Sequence, residues 1–308
     1  MPIPFVCPHC ETQTLVDDRY ANQRGDCATC GREITVPPLA SATAEPSSQL
    51  DPNRKSQWRS LAKALALSLG GLVLMAALTG IVLEFVLPVV RSNQLKQYRA
   101  QSNTHLQRIA QAMRAYHDAY GSYPPAYIPD SNGRPMHSWR VLLLPYLDEM
   151  AIYGRYDFNK PWDEQDPAIE APLEMPAVYS SPADEDSQVE GHTSFVVIVG
   201  NRTMFPGARA IRSEQIRDGL SATIMVVERH NSQIPWYQPE DLRSEKMRFE
   251  VNGRGQEVAS NHTGGAWLVM ANGKTYFVRE QLSPDYLQSL ITIDGGERVP
   301  LSEIGGDR

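Results

Sequence analysis

The chain has 308 residues, a formal net charge of −7, and ordinary shares of hydrophobic (42%) and charged (21%) residues, so most of it is expected to fold. That length allows one large domain or two modest ones. The acidic balance argues against a protein whose main task is to hold nucleic acid phosphates.

The first chemistry in chain order is a pair of cysteine knuckles, Cys7-Pro-His-Cys10 and Cys27-Ala-Thr-Cys30, with sixteen residues between them. Each C-x2-C bends so that two thiolates face one ion, and two such knuckles complete a tetrahedron around Zn²⁺. Cys7, Cys10, Cys27 and Cys30 are therefore the expected ligands of one structural zinc. His9 is left out because four thiolates already satisfy the metal. The competing reading is two disulfides or a redox dithiol. A redox dithiol needs only one C-x2-C, and disulfides do not suit the cytoplasmic placement argued below. Residues 1–37 are too few to build a hydrophobic core, so the metal would supply most of this ribbon's folding free energy. The segment carries three basic residues against five acidic ones, which favours a structural or protein-contact role over nucleic acid binding.

Residues 38–57, rich in Pro, Ser and Ala, read as a flexible linker. Residues 58–90 read as a transmembrane helix with its flanks. From Ala64 to Leu83 twenty residues carry no charge. At about 1.5 Å per residue they span roughly 30 Å, the thickness of a bilayer's hydrocarbon core. A soluble core helix rarely runs this long without a polar face, and a secretory signal would not follow some sixty residues. Trp58 suits the interface, and Glu84 marks the outer end of the span. Arg54, Lys55, Arg59 and Lys63 precede the span, whereas Arg91, Lys96 and Arg99 follow it. That bias places the N-terminus in the cytoplasm and the C-terminal domain outside, across the inner membrane. All four cysteines precede the span, as a thiolate site in a reducing compartment requires.

Residues 91–308 read as a loop-rich α+β domain, and the helix that crosses the membrane is expected to continue to Tyr120. Leu106, Ile109, Met113, Tyr116 and Tyr120 recur at spacings of three and four, with Arg108, Gln111 and Arg114 on other faces. Gly121 should stop the helix, and Pro124-Pro125 prevents its resumption. The β-branched runs Phe195–Val199 and Thr223–Val227 read as strands buried on both faces. Ala266–Met270 and Lys274–Val278 flank Asn272-Gly273 and read as a hairpin whose two turn residues take positive φ.

Candidate chemistry centres on His262 in Ser-Asn-His-Thr-Gly-Gly, with His117-Asp118 and Glu228 as further titratable groups. Each has a plainer structural role: His262 capping a loop, His117-Asp118 ending a helix, Glu228 pairing with an arginine. No G-x-S-x-G, H-E-x-x-H or phosphate-loop pattern is present, so neither an enzyme nor a small-molecule substrate is expected.

The region after the span carries a series of ordered markers. They are Leu87-Pro88, Asn103–Leu106, Tyr116–Ala126, His137–Leu147, Tyr156–Asp163, Thr193–Val196, Asp218–Glu228, Pro235-Trp236, Pro239–Leu242, Ser260–Trp267 and Ala271–Gly273. In these, residues 87–280 resemble the DUF1559 proteins, PulG-like relatives of type II secretion pseudopilins. The resemblance implies a pilin-like fold, a long helix packed on an antiparallel sheet, here preceded by a transmembrane helix and a zinc ribbon. Pilin-type members carry a leader Gly and a Glu that here fall on Ala66 and Gly71, so the resemblance implies an anchor that is not processed and not assembled through that Glu. It also places cysteines where Ser102 stands and near Ser181. The function it suggests is a membrane-anchored structural or interaction protein of the bacterial envelope, linked to secretion or transport, with protein partners on both sides of the membrane. The alternative is a transmembrane sensor or regulator, with an outer ligand-binding domain and an inner zinc ribbon.

Overall fold

The computed structural model describes residues 2–38, 54–165, 174–297, 300 and 304. The expected linker falls for the most part on residues 39–53, outside the described residues. So do the side chains of Arg54, Lys55, Trp58 and Arg59. The chain divides into two compact units, Met1–Gly80 and Ile81–Arg308.

The first unit opens with two small antiparallel hairpins. β1 (Ile3–Val6) pairs with β2 (Gln13–Val16), and β3 (Arg24–Asp26) pairs with β4 (Glu33–Thr35). Helix α1 (Arg54–Ile81) then begins, four residues before the expected start, so Arg54–Gln57 are helical and not linker.

A π-helical segment, Val82–Val86, leads into α2 (Leu87–Tyr120). Pro88 is the cause. Proline has no N–H, and its ring collides with the carbonyl four residues back. The chain widens instead, and the Leu87 N–H donates to the Val82 carbonyl, five residues back. One helix long and apolar enough to span a membrane results, and none of its apolar window is buried inside the protein. A soluble core helix would bury that window. Glu84 is the only charge between Lys63 and Arg91.

At its far end α2 behaves as an amphipathic helix. Leu106, Ile109 and Met113 are fully buried, while Arg108, Gln111 and Arg114 face solvent. Tyr120 departs from the expected stripe: it is 66% exposed and leans on the Tyr116 ring at 4.4 Å. Tyr120 is the last residue of the helix, and the core reaches only as far as Tyr116, one turn before it. Gly121 closes the helix in the left-handed region (φ 73°), its N–H donating to the His117 carbonyl.

The remaining elements are short. A hairpin of β5 (Tyr127–Pro129) and β6 (Pro135–Ser138) runs into α3 (Trp139–Leu142), followed by α4 (Met150–Tyr153) and α5 (Glu185–Glu190). The sheet region holds β7 (Phe195–Val196), β8 (Ile198–Val199), β9 (Ile224–Glu228), β10 (Leu242–Arg243), β11 (Gly265–Met270) and β12 (Thr275–Arg279). Helix α6 (Pro284–Ser289) follows, capped by the Ser283 side chain. The main sheet is antiparallel, in the order β12-β11-β9-β7.

Both faces of this sheet are covered. Trp267, Val269, Phe277, Phe195 and Met225 join the core that holds Leu106, Ile109 and Met113 of α2. On the other face Leu268, Met270, Val278, Val196 and Val227 pack with Leu287 and Leu290 at and beside α6. Two buried faces explain why the strands read as continuous apolar runs without polar alternation. The architecture is α+β, a long helix laid on an antiparallel sheet, as the sequence suggested.

Two details differ from expectation. Phe195–Val199 is not one strand. It breaks at Val197, whose N–H donates to the Asp241 carboxylate at 3.0 Å, so β7 stays in the main sheet while β8 pairs in parallel with β10. In the β11–β12 hairpin only Gly273 takes positive φ (84°). The Gly273 N–H donates to the Met270 carbonyl and Met270 N–H to the Lys274 carbonyl. This is a longer loop than the two-residue turn, with glycine at the left-handed position.

Burial in this core predicts unequal effects along the stripe. Ile109→Ala should lower unfolding stability by about 2–5 kcal/mol, and Tyr120→Ala by less than about 1 kcal/mol. Thermal unfolding of the solubilised full chain, followed by circular dichroism, measures both.

Candidate functional site

The four cysteines come together. Their Sγ atoms all lie within 4.8 Å of one another, with Cys7–Cys30 and Cys10–Cys27 each 3.8 Å apart. Four sulfurs at about 2.3 Å from a central Zn²⁺ form a tetrahedron with edges of about 3.8 Å. A disulfide would need about 2.05 Å, so neither of these pairs is bonded. The donor set and its spacing fit one metal ion held by thiolates.

The backbone explains how so small a module builds this geometry. The two knuckles repeat each other: Glu11 N–H donates to the Cys7 carbonyl and Gly31 N–H to the Cys27 carbonyl. Cys7 N–H then donates to the Thr12 carbonyl, and Cys27 N–H to the Arg32 carbonyl. Both turns close on a left-handed residue, Glu11 (φ 57°) and Gly31 (φ 67°). The apolar cluster of this unit consists of Phe5, Val16 and Ile34 around the cysteines themselves. The sulfur centre is the core.

In the second unit the structure joins residues that the sequence left apart. Ser102 of α2, Ser181, Glu228 at the end of β9 and His262 form one buried cluster. Ser102 Oγ lies 2.8 Å from Ser181 Oγ, and Ser181 donates to Glu228 Oε1 at 2.7 Å. His262 Nε2 lies 3.1 Å from Ser102 Oγ and 3.3 Å from Glu228 Oε1. Glu228 Oε2 accepts the Trp267 N–H at 3.1 Å. Glu228 therefore does not pair with an arginine, as expected from sequence, but ties β9 to β11 and to the helix.

The cluster contains a serine, a histidine and a carboxylate, but not the order of a nucleophilic triad. In a triad one ring nitrogen takes the serine proton while the other is held by the carboxylate. Here Ser102 and Glu228 both face Nε2, and Ser102 is fully buried. The arrangement is a cross-link among four segments. His117 lies elsewhere: its Nε2 is 2.8 Å from Ser213 Oγ and its Nδ1 is 3.6 Å from Asp118.

A second buried network was missed by the sequence reading. Arg140 and Asp241, a hundred residues apart, form an ion pair at 2.6 Å with almost no solvent exposure. Arg140 also donates to Ser138 Oγ and to the Phe195 carbonyl, and its ring neighbour Trp139 donates to Asp241. Burial pushes the Asp241 carboxyl upward from its ordinary value, against the pull of Arg140 and of the Val197 N–H. The available signal was an arginine inside the apolar run Trp139-Arg-Val-Leu142; Asp241 in Pro239-Glu-Asp-Leu242 gave none.

Two substitutions test these assignments. Asp241→Ala strands a buried guanidinium and should remove about 3–5 kcal/mol of stability. Ser102→Cys combined with Ser181→Cys should form a disulfide under oxidising conditions, because the two Oγ atoms already touch across 79 residues of chain. The closed loop should add about 2–4 kcal/mol. Mass spectrometry before and after reduction and the melting temperature report the outcome.

No curated protein and no solved structure matches the chain. A family match covers about a third of it, a shorter stretch than residues 87–280. The matched segment runs from Tyr98 in α2 to Ile198 in β8 and includes Ser102, Arg140 and Ser181, whereas Glu228, Asp241, His262 and the cysteine module lie outside it. Residues 98–198 thus match the family described as "Protein of unknown function (DUF1559)", in agreement with the resemblance read from the sequence.

Proposed function

We propose that the chain is a single-span protein of the inner membrane that acts as a structural or interaction protein of the bacterial envelope. In this reading the four cysteines hold one structural zinc ion on the cytoplasmic side. The α+β domain stands on the outer side and contacts envelope or secretion components. The observation that carries the reading is the exposed helical stretch between Lys63 and Arg91, a predominantly apolar surface whose one charge is Glu84. In hydrocarbon such a surface is at home; in water it would drive aggregation. The long helix on an antiparallel sheet supports kinship with pseudopilins. The buried serine and the shared histidine nitrogen support a role without catalysis.

Zinc is favoured over other metals because four thiolates in a tetrahedral arrangement are its usual closed site. The metal would fix the two knuckles, and the acidic surface of the module favours a protein partner over nucleic acid.

A second reading, a transmembrane sensor, draws support from one observation: a polar cavity of about 400 Å³ lies beside His262 in the outer domain.

The test has two parts. After cell lysis the full chain should stay with membranes through an alkaline wash and leave only with detergent, and a periplasm-dependent reporter should be active at the C-terminus and silent at the N-terminus. Recovery in the soluble fraction, or the opposite reporter pattern, would refute the topology. Elemental analysis of the purified protein should give about one zinc per chain, and Cys10→Ser with Cys27→Ser should abolish it.

A further inference from the structure

Beyond any structural role, the outer domain holds a cavity whose walls carry a specific pattern of charge. It measures about 400 Å³, within the range of small-molecule sites, and is lined by Arg229, His230, Asn252, Asn261, His262 and Glu280 among others. Ala259 is the only apolar side chain on its walls, so the lining suits a polar ligand.

Arg229 is the informative residue. It is half-buried, follows Glu228 at the end of β9, and donates through Nη1 to the Glu257 carbonyl at 3.2 Å. Among the described residues it makes no ion pair. The nearby Glu257 carboxylate is taken by the backbone N–H groups of Arg248 (2.6 Å) and Glu250 (3.2 Å). Burial lowers the guanidinium below its ordinary pKa, with the Glu257 carboxylate pulling the other way. An anion entering the cavity would add a charge-assisted partner to the guanidinium that lines it.

The rest of the wall gives the ligand its other half. Glu280 stands at the exposed side, where Asn252 Nδ2 donates to its Oε1 at 2.8 Å and holds the carboxylate in place. His230 Nδ1 is engaged by Asp184 at 3.0 Å, and Asn261 Nδ2 donates to the Ala183 carbonyl at 3.0 Å. His262 uses Nε2 inside the buried cluster, and among the described residues its Nδ1 makes no hydrogen bond. One cavity thus presents a partly desolvated cation, a positioned carboxylate and further hydrogen-bonding groups.

We propose that this cavity binds a small zwitterion, a free amino acid or the like, with its carboxylate on Arg229 and its ammonium on Glu280. A bound inorganic anion would use Arg229 and leave Glu280 idle. A plain carboxylate would do the same. The zwitterion is the class that uses both walls of a cavity of this size. Because His262 lines the cavity and also contacts Ser102 of α2, occupancy would be felt at the junction of helix and sheet.

The experiment is isothermal titration of the full chain in detergent with each common L-amino acid in turn. The N-acetyl form of any binder and inorganic phosphate complete the set of probes. Saturable binding of at least one amino acid is expected. Arg229→Gln should weaken it about 10- to 100-fold, the usual effect of losing a charge-assisted bidentate contact. N-acetylation of the ligand and Glu280→Gln should each weaken it about 10-fold, and Glu280 is exposed enough for its variant to fold. No saturable binding, binding unmoved by Arg229→Gln, or a preference for phosphate that ignores Glu280→Gln would each overturn the proposal. Membrane retention and zinc content are measured separately, so failure here leaves the topology reading intact.

Discussion

A buried arginine holding a buried aspartate organises the α+β domain. Arg140 comes from α3 and Asp241 from the segment just before β10, and each also hydrogen-bonds the backbone around Phe195–Val197. Taking two charges out of water carries a desolvation penalty of several kcal/mol per ion, so their attraction is a weak argument for net stability. Their contribution is specificity. A domain with short strands and long connections has many compact alternatives of similar apolar burial. Only one of them matches this arginine to this acid, and any other leaves a charge orphaned. The same carboxylate takes the Val197 N–H and so ends β7 and starts β8, which makes the ion pair a determinant of the sheet itself.

The His262 cluster extends this logic to the helix. Four polar side chains from α2, the Ser181 loop, β9 and the loop before β11 satisfy one another in the interior. Each hydrogen bond contributes on the order of 1 kcal/mol, but a missing partner would leave the others unsatisfied at a larger penalty. Ser102 stands where the DUF1559 resemblance places a cysteine and Ser181 near another, and here the two hydroxyls are hydrogen-bonded to each other.

The first unit solves the problem of stability by other means. Its cysteine module encloses little more than Phe5, Val16 and Ile34 around four sulfurs. Two knuckles with the same hydrogen-bond pattern bring two thiolates each, and a metal ion joining them would close the module in a way apolar burial could not. The helix that follows is stable for yet another reason. Its backbone satisfies itself, so the apolar side chains between Lys63 and Arg91 are free to face lipid. The one irregularity, the π turn at Val82–Val86, is the local answer to Pro88.

Sequence alone was sufficient wherever a local rule decides the outcome. The knuckle spacing foretells that the four sulfurs gather, and they lie within 4.8 Å of one another. A run of twenty uncharged residues makes a helix that nothing in the protein buries. Leu106, Ile109 and Met113 declare the packed face of α2 by their spacing, and Gly121 its end. What only the tertiary structure decided are the relations between residues distant in the chain. Nothing local says that Arg140 meets Asp241, that Glu228 faces Ser181 and not an arginine, that Val197 breaks a run of five β-formers, or that Tyr120 falls beyond the edge of the core. These depend on which buried polar group satisfies which, and that is set by the whole fold at once because an unpaired charge or hydrogen-bonding group inside it is too unfavourable to leave anywhere else.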